Sequence, residues 1–264
     1  MCGDNKMNEN NPARTHAGRK PSAFLVCILV SALWPWGTHG AESEDVEIAI
    51  SLSNMLRAGR GVIASKQSLI NDPNVGDKGL SGEVVLAEAI KTYRELTQID
   101  PRSIDAETRK GRLLSAQMTA IREAMDSSQG DINAPGVGFK GFVPAVFARL
   151  VNERFAQLIG YEADIKVTAP PSLIRNRKSR PDQWEAEVIR TKLSAKDWPN
   201  GQLFHGESKK DGRDAFRVAV PEYYGAGCLS CHGEPKGEID ITGYPKEGGK
   251  EGDLGGVISI TLYR

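Results

Sequence analysis

Between residues 43 and 159 the apolar side chains recur every three to four positions, a spacing typical of amphipathic helices. The pattern predicts four helices, over residues 43–71, 82–96, 105–125 and 144–159. The last of them opens on Pro144, and proline suits the first turn of a helix. The first part of the chain is therefore expected to be mainly helical.

After Gly160 the pattern changes, because apolar residues now alternate with polar ones, as in strands with one buried face. Four strands are predicted, over residues 165–168, 202–207, 216–220 and 258–262. A helix over 181–194 interrupts them, and the segment 233–256, rich in Gly, Lys and Glu, is expected to form a loop. The whole pattern predicts an α+β fold, with helices first and an antiparallel sheet after them.

The first forty residues differ from the rest of the chain. Basic residues at Arg14, Arg19 and Lys20 precede an apolar run over 23–36, and small residues follow it. This order is typical of a secretory signal peptide, and cleavage is expected near Gly40-Ala41. The apolar run is too short for an ordinary transmembrane helix, so a retained N-terminal anchor is the weaker alternative.

These patterns predict a signal peptide over residues 1–40 and a single domain over 41–264. The domain divides into a mainly helical part, 41–160, and a sheet part, 161–264. The protein is expected to be periplasmic or otherwise exported. Its 264 residues include 34 basic and 34 acidic side chains, and this balance gives no sign of nucleic-acid binding.

A glycine pattern at residues 136–141 matches G-x-G-x-x-G, the fingerprint of dinucleotide sites. That fingerprint requires a buried strand immediately before it, and the preceding residues 129–135 predict none. The glycines are therefore interpreted as a tight turn before the helix at Pro144. No nucleotide ligand is expected.

The stretch Cys228-Leu229-Ser230-Cys231-His232 carries the clearest chemistry, because C-x-x-C-H is the pattern for covalent attachment of a c-type haem. The two thiols each bind one vinyl group of the porphyrin, and the histidine is placed to bind the iron. Removal of the signal peptide would leave Cys228 and Cys231 as the only cysteines, with His205 and His232 as the only histidines.

Two other interpretations of the motif stay open. A thioredoxin-like thiol pair needs a βαβ setting and has no use for the adjacent histidine. A zinc site of Cys228, Cys231, His205 and His232 has suitable ligand types. However, its last histidine directly follows a cysteine, and those two neighbours can hardly meet one tetrahedral metal. Haem c is the favoured cofactor.

With His232 as the proximal iron ligand, the distal ligand is open. His205 is the only other histidine of the mature chain, and Met55 is the preferred thioether. A methionine at helical spacing is more often a core residue, and a lone histidine in a strand is more often a surface residue. Water or an open position is the third alternative.

Polar and aromatic neighbours of the ring can also be proposed. Arg175 and Arg180 belong to a basic cluster, and a guanidinium fork matches a haem propionate. Tyr223 and Tyr224 directly precede the attachment motif. The ordinary alternatives are a solvated charged face for the arginines and simple packing for the tyrosines.

Several segments together resemble a bacterial family of PAS-like c-type haem domains, long known as a domain of unknown function. The resemblance covers roughly residues 52–262 and is carried by these segments: Gly138-Phe139-Lys140-Gly141-Phe142-Val143-Pro144-Ala145, Arg149 to Phe155, Lys166 to Pro170, Arg175-Asn176, Arg180-Pro181-Asp182 with Trp184-Glu185, and Cys228 to Gly233.

The resemblance implies a PAS-like antiparallel sheet with long N-terminal helices packed in front of it, and one covalently attached haem. It adds Asn176 to the candidate cofactor contacts. The chain lacks the cysteine that supplies a distal thiolate in part of the family. A single strand is predicted after the motif, so no transmitter domain is expected, and a separate partner protein is implied.

Two functions follow from these expectations. The first is a redox or small-gas sensor, or an electron carrier, in which a diatomic gas is the possible exogenous ligand. The alternative is a haem enzyme of the peroxidase or nitrogen-oxide reductase type, which needs an open iron position and a placed acid–base group. The sequence shows no compelling constellation for the enzyme, although Arg175 and Tyr224 can be imagined in one.

Overall fold

A computed structural model describes residues 38–264 of the protein. Over these residues the α-helical segments are the following: α1 (Thr38–Ser65), α2 (Gln67–Ile70), α3 (Gly82–Thr97), α4 (Arg109–Ser127), α5 (Gln129–Ile132), α6 (Pro144–Ile159), α7 (Gln183–Val188) and α8 (Leu229–His232). The strands of the same region are β1 (Ala163–Thr168), β2 (Phe204–Lys210), β3 (Arg213–Tyr223) and β4 (Leu254–Tyr263).

The predicted signal peptide, residues 1–40, lies outside the described residues except for the first three positions of α1, and it stays a prediction. No helix within residues 38–264 is both long enough and apolar enough to cross a membrane.

The helix predicted over 43–71 is interrupted. It forms α1 and the single turn α2, separated at Lys66, whose backbone leaves the regular helix with φ −99° and ψ 5°. The amide of Lys66 is shared between the carbonyls of Val62 and Ile63, at 3.2 and 3.3 Å. The side chain of Gln67 then donates to the carbonyl of Phe142 at 3.0 Å, which holds α2 against the loop before α6.

The four strands form one antiparallel sheet in the order β1-β4-β3-β2. β4 lies between β1 and β3, so that Ile260 is paired with Ile165 on one side and with Val218 on the other. β2 pairs only with β3 and begins at Phe204, opposite Ala219. The predicted α+β class is confirmed, with a four-stranded antiparallel sheet and several helices.

One face of the sheet packs against the long helices. Alternate residues of β3, Phe216, Val218 and Val220, join the main apolar core. That core continues through the buried faces of α1, α3, α4 and α6, where it includes Leu52, Met55, Leu113, Phe147 and Phe155. The period-two pattern of the strands and the helical spacing of the first half thus bury the same core.

The opposite face of the sheet is covered by α7 and the π-helical turn after it, Ile189–Leu193. The predicted helix 181–194 begins two residues later than expected, because Asp182 acts as the N-cap and forms a capping box with Glu185. Val188 and Leu193 pack with Ala219 and Val257 in a second, smaller core. The two central strands, β3 and β4, are therefore buried on both faces.

Candidate cofactor site

The C-x-x-C-H motif lies in the long connection between β3 and β4, at one end of the sheet. β3 ends at Tyr223, and the short helix α8 begins at Leu229. Cys228 is the residue before α8 and Cys231 lies three positions later, so the two thiols fall on the same side of one helical turn. Cys228 is exposed, Cys231 is half-buried, and both are free thiols.

His232 ends α8 and is held from two directions. Its Nδ1 lies 2.9 Å from Oε2 of Glu247. Its ring stacks on Tyr224, with 5.1 Å between the centroids and 19° between the planes. An ionised carboxylate only accepts hydrogen bonds, so in the neutral imidazole Nδ1 carries the proton and Nε2 keeps its lone pair.

Glu247 is itself held by Arg175, which lies on the loop between β1 and α7. Nε and Nη2 of Arg175 donate to the two oxygens of Glu247 at 2.7 and 2.9 Å. Nη2 also donates to the carbonyl of Cys231 at 2.8 Å, and Nη1 donates to Asp240 at 2.5 Å and Thr242 at 3.4 Å. The five N–H donors of the guanidinium therefore all have acceptors within the protein.

These contacts set the charge state of the site. Burial favours the neutral form of Glu247, but hydrogen bonds from Arg175 and His232 outweigh it and lower the pKa of the carboxyl below its ordinary value. Burial likewise opposes ionisation of Asp240, yet hydrogen bonds to its carboxylate bring its pKa to about 2. Burial, together with the charge of Glu247, raises the pKa of Tyr224 to about 12. Near neutral pH the site therefore holds two carboxylates and a neutral phenol.

The segment 233–253 wraps around the motif through its backbone. Gly249 donates its amide to the carbonyl of His232 at 2.8 Å, and Gly252 donates to the carbonyl of Tyr224 at 2.8 Å. The amide of Tyr224 in turn donates to the backbone carbonyl of Asp253 at 2.9 Å. The polar loop predicted for this region thus supplies both Glu247 and a backbone frame around His232.

The motif end of the sheet is also tied to the helical layer. Arg57 and Arg60 of α1 both donate to Glu222, at 2.5 and 2.6 Å, and Arg57 also donates to the carbonyl of Pro221 at 3.0 Å. Glu222 precedes Tyr224 by two residues. The later part of α1 is therefore fixed to the strand end from which the motif begins.

Three of the predicted cofactor contacts are placed differently from Arg175 and Tyr224. The hydroxyl of Tyr223 accepts a hydrogen bond from the amide of Gly201 at 3.1 Å, in the loop before β2. The side chain of Asn176 accepts from the amide of Lys178 at 3.0 Å and so caps a short 3₁₀ turn. Arg180 is exposed. Contacts of these three residues with a cofactor stay predictions.

The two candidate distal ligands lie in different surroundings. His205 packs against Phe216 with 5.4 Å between ring centroids, and its Nδ1 is 3.3 Å from the carboxylate of Glu42, outside hydrogen-bond geometry. It borders an open pocket of about 350 Å³ at the start of α1. Met55 is fully buried in the main core. Neither of these placements tests the predicted distal ligand, and both assignments stay predictions.

The arrangement also bears on the zinc alternative. Over residues 38–264, no group of three or more His, Cys, Asp and Glu side chains is disposed to hold a metal ion. Cys228, Cys231, His205 and His232 therefore do not form a four-ligand zinc site. A haem iron does not need such a group, because the porphyrin supplies four of its ligands and the protein only the axial ones.

Glu247 and Asp240 are the site residues that sequence reasoning missed. They lie 15 and 8 positions after His232, inside a segment whose glycines and charges indicated only a loop. The one signal in that segment is its glycine pairs, Gly248-Gly249 and Gly255-Gly256. A Cβ at Gly249 would lie 2.6 Å from the ring of Tyr224, so this glycine marks a close approach of the loop to the site.

Comparison with known protein families gives a match over much of the chain. A family model described as Tll0287-like matches residues 101–262, a span that runs from before α4 almost to the end of β4 and contains the motif. No curated protein and no solved structure matches the chain.

Proposed function

This chain belongs to the Tll0287-like family, and we propose that it is an exported monohaem c-type protein. In this proposal Cys228 and Cys231 hold one haem covalently, and His232 binds its iron through Nε2. The protein then acts as a redox or small-gas sensor, or as an electron carrier, and passes its signal or electron to a separate partner.

The observation that carries the proposal is the 2.9 Å contact between Nδ1 of His232 and Glu247. A histidine that binds a metal almost always donates its other ring N–H to a carboxylate, a carbonyl or water. Here the contact leaves Nε2 as the nitrogen with a free lone pair. The two thiols, one exposed and one half-buried, lie on the same helical turn and suit attachment at one edge of a porphyrin.

A bound haem supplies reversible one-electron chemistry and, where an iron position is open, binding of a diatomic gas. The protein's own groups orient His232, through Glu247 and the stacked ring of Tyr224. They also hold the motif in place, because Nη2 of Arg175 donates a hydrogen bond to the carbonyl of Cys231.

The PAS-like fold and the export of the protein are proposed from the sequence. We take the four-stranded antiparallel sheet with helices packed on it to be PAS-like, and residues 1–40 to be a signal peptide that directs export. The adjacent His232 supports haem c over a thiol-redox pair, because such a pair has no use for that histidine.

A haem enzyme is the alternative function. Its candidate acid–base groups, Arg175 and Tyr224, are both engaged around His232. Arg175 has its donors engaged with Glu247, Asp240, Thr242 and the Cys231 carbonyl, and Tyr224 stacks on the His232 ring. These contacts orient His232, which in the proposal is the proximal ligand, and they favour the sensor or electron-carrier function over the enzyme.

Absorption spectra of the protein, produced in a host with cytochrome c maturation machinery, test the proposal. We expect a Soret band that persists after denaturation and acid–organic extraction, and its loss in Cys228→Ala or Cys231→Ala. A low-spin six-coordinate iron in both redox states supports electron transfer. A high-spin iron that binds carbon monoxide supports sensing or catalysis.

The same spectra test the distal ligand. If His205 holds the distal position, His205→Ala changes the spectrum, and an unchanged spectrum moves the assignment to Met55. Wild-type protein from the maturation host without any Soret band would contradict the haem proposal itself.

A further inference from the structure

Glu247 serves two partners with one carboxylate. Oε2 contacts Nδ1 of His232 at 2.9 Å and also accepts from Nη2 of Arg175 at 2.9 Å, while Oε1 accepts from Nε of Arg175 at 2.7 Å. The negative charge available to His232 is therefore the part that the bidentate guanidinium does not neutralise. A substitution at Arg175 therefore changes how much of the negative charge of Glu247 acts on His232.

Arg175 is fixed in place by groups other than Glu247. Its Nη1 donates at 2.5 Å to Asp240, whose side chain is completely buried. Asp240 is itself held through its other oxygen by the backbone amide and hydroxyl of Thr242, at 2.7 and 2.6 Å. The guanidinium also packs over the ring of Tyr244, 5.6 Å from its centroid. Arg175 thus has a defined position relative to the motif.

We propose that Arg175 is a positioning residue that acts through Glu247 to set the reduction potential of an iron held by His232. The inference rests on the proposed haem attachment. A carboxylate on the far nitrogen makes a histidine a stronger donor and stabilises the more highly charged ferric iron. Arg175 moderates this effect, because it shares the same carboxylate and carries the opposite charge.

The inference predicts shifts of opposite sign. Glu247→Gln removes the negative charge and is expected to raise the reduction potential. Arg175→Met removes the guanidinium, leaves the charge of Glu247 directed at His232, and is expected to lower it. Arg175→Lys keeps a charge but not the fork, so its potential should lie between those of the wild type and Arg175→Met.

A double-mutant cycle separates action through Glu247 from the direct charge of Arg175 on the iron. The potential of the holoprotein is measured for the wild type, Arg175→Met, Glu247→Gln and the double variant. We expect Arg175→Met to shift the potential less in the Glu247→Gln background than in the wild type. Arg190→Met is the matched control, because Arg190 is an exposed arginine paired with Glu187, and it should leave the potential unchanged.

Equal shifts in both backgrounds, a raised potential in Arg175→Met, or no shift at all would overturn the inference while leaving haem attachment intact. Wild-type protein without covalent haem would overturn the proposed function instead. If Arg175→Met does not fold, Arg175→Lys takes its place in the cycle with the same criteria.

A second measurement needs no haem. The ¹⁵N chemical shifts of the His232 ring in the haem-free protein should show the Nδ1–H tautomer, and its population should fall in Glu247→Gln. An Nε2–H tautomer in the wild type would contradict the inference.

Discussion

Gly255, in the second position of β4, lies so close to Tyr224 that a side chain has no room. A Cβ at this position would be 2.2 Å from Cε1 of the Tyr224 ring. The ring that stacks on His232 is therefore seated directly on the backbone of β4. The absence of a side chain at Gly255 is a packing requirement of the site.

Gly255→Ala is expected to destabilise the protein by about 1–3 kcal/mol, the usual cost of overpacking, because either the ring or the strand has to move. Gly206→Ala is a matched control in β2, where a Cβ would meet nothing within 4 Å; its effect should stay within about 0.5 kcal/mol. Urea unfolding of the haem-free proteins measures both. Equal midpoints for the two variants would contradict the close contact.

At this scale the sequence predicted only part of the site. Cys228, Cys231 and His232 were predicted as a set because their chemistry requires a fixed local spacing. Arg175 was predicted as a contact of a haem propionate, which stays a prediction, and its contact with Glu247 was not predicted. Glu247 itself was not predicted, since its contact with His232 depends on how a polar loop folds back and no spacing encodes that.

The segment 233–253 is the element that completes the site, although it contains little regular structure. Its middle forms a narrow hairpin held by backbone hydrogen bonds. The amide of Gly237 donates to the carbonyl of Lys246 at 2.9 Å, and the amide of Lys246 donates to the carbonyl of Glu238 at 2.8 Å. Asp240, near the hairpin tip, is bound to Arg175. The ion pair joins this hairpin to the loop before α7.

Asp240→Asn is expected to lower stability in a pH-dependent way. The pKa of Asp240 is about 2 in the folded protein and 3.8 ordinarily, so its contribution is present above the ordinary value and is lost as the pH falls toward about 2. Wild type should exceed the variant by on the order of 1 kcal/mol near pH 6, with the gap closing toward about pH 2. Urea unfolding across this range measures the gap.

Other carboxyls whose pKa is lowered, such as Glu247, are present in both proteins. Their contributions to the free energy of unfolding therefore largely cancel in the difference between wild type and variant. A gap that stays constant from neutral to strongly acidic pH would contradict the assigned role of Asp240. The sequence could not indicate this role, because the periodicity that predicted the regular helices and strands has no counterpart in a hairpin rich in glycine and charge.

Over residues 38–264 a helical layer packs on a sheet, and the motif lies at the end of that sheet where α1 is fixed by Arg57, Arg60 and Glu222. The class and the order of elements were predictable, since both depend on local periodicity. The strand order β1-β4-β3-β2 was not, because it depends on pairing between residues far apart in the chain. That order makes the motif-bearing segment the connection between the two central strands.

The measurement that tests the central claim most directly is the intact mass of wild-type protein from a host with cytochrome c maturation machinery, followed by mapping of its peptides. We expect the mass of the mature chain plus one haem, with the added mass on the peptide that contains Cys228 and Cys231. Cys228→Ala with Cys231→Ala should have the mass of the mature chain alone. Wild-type protein with two free thiols on that peptide and no added mass would contradict the account.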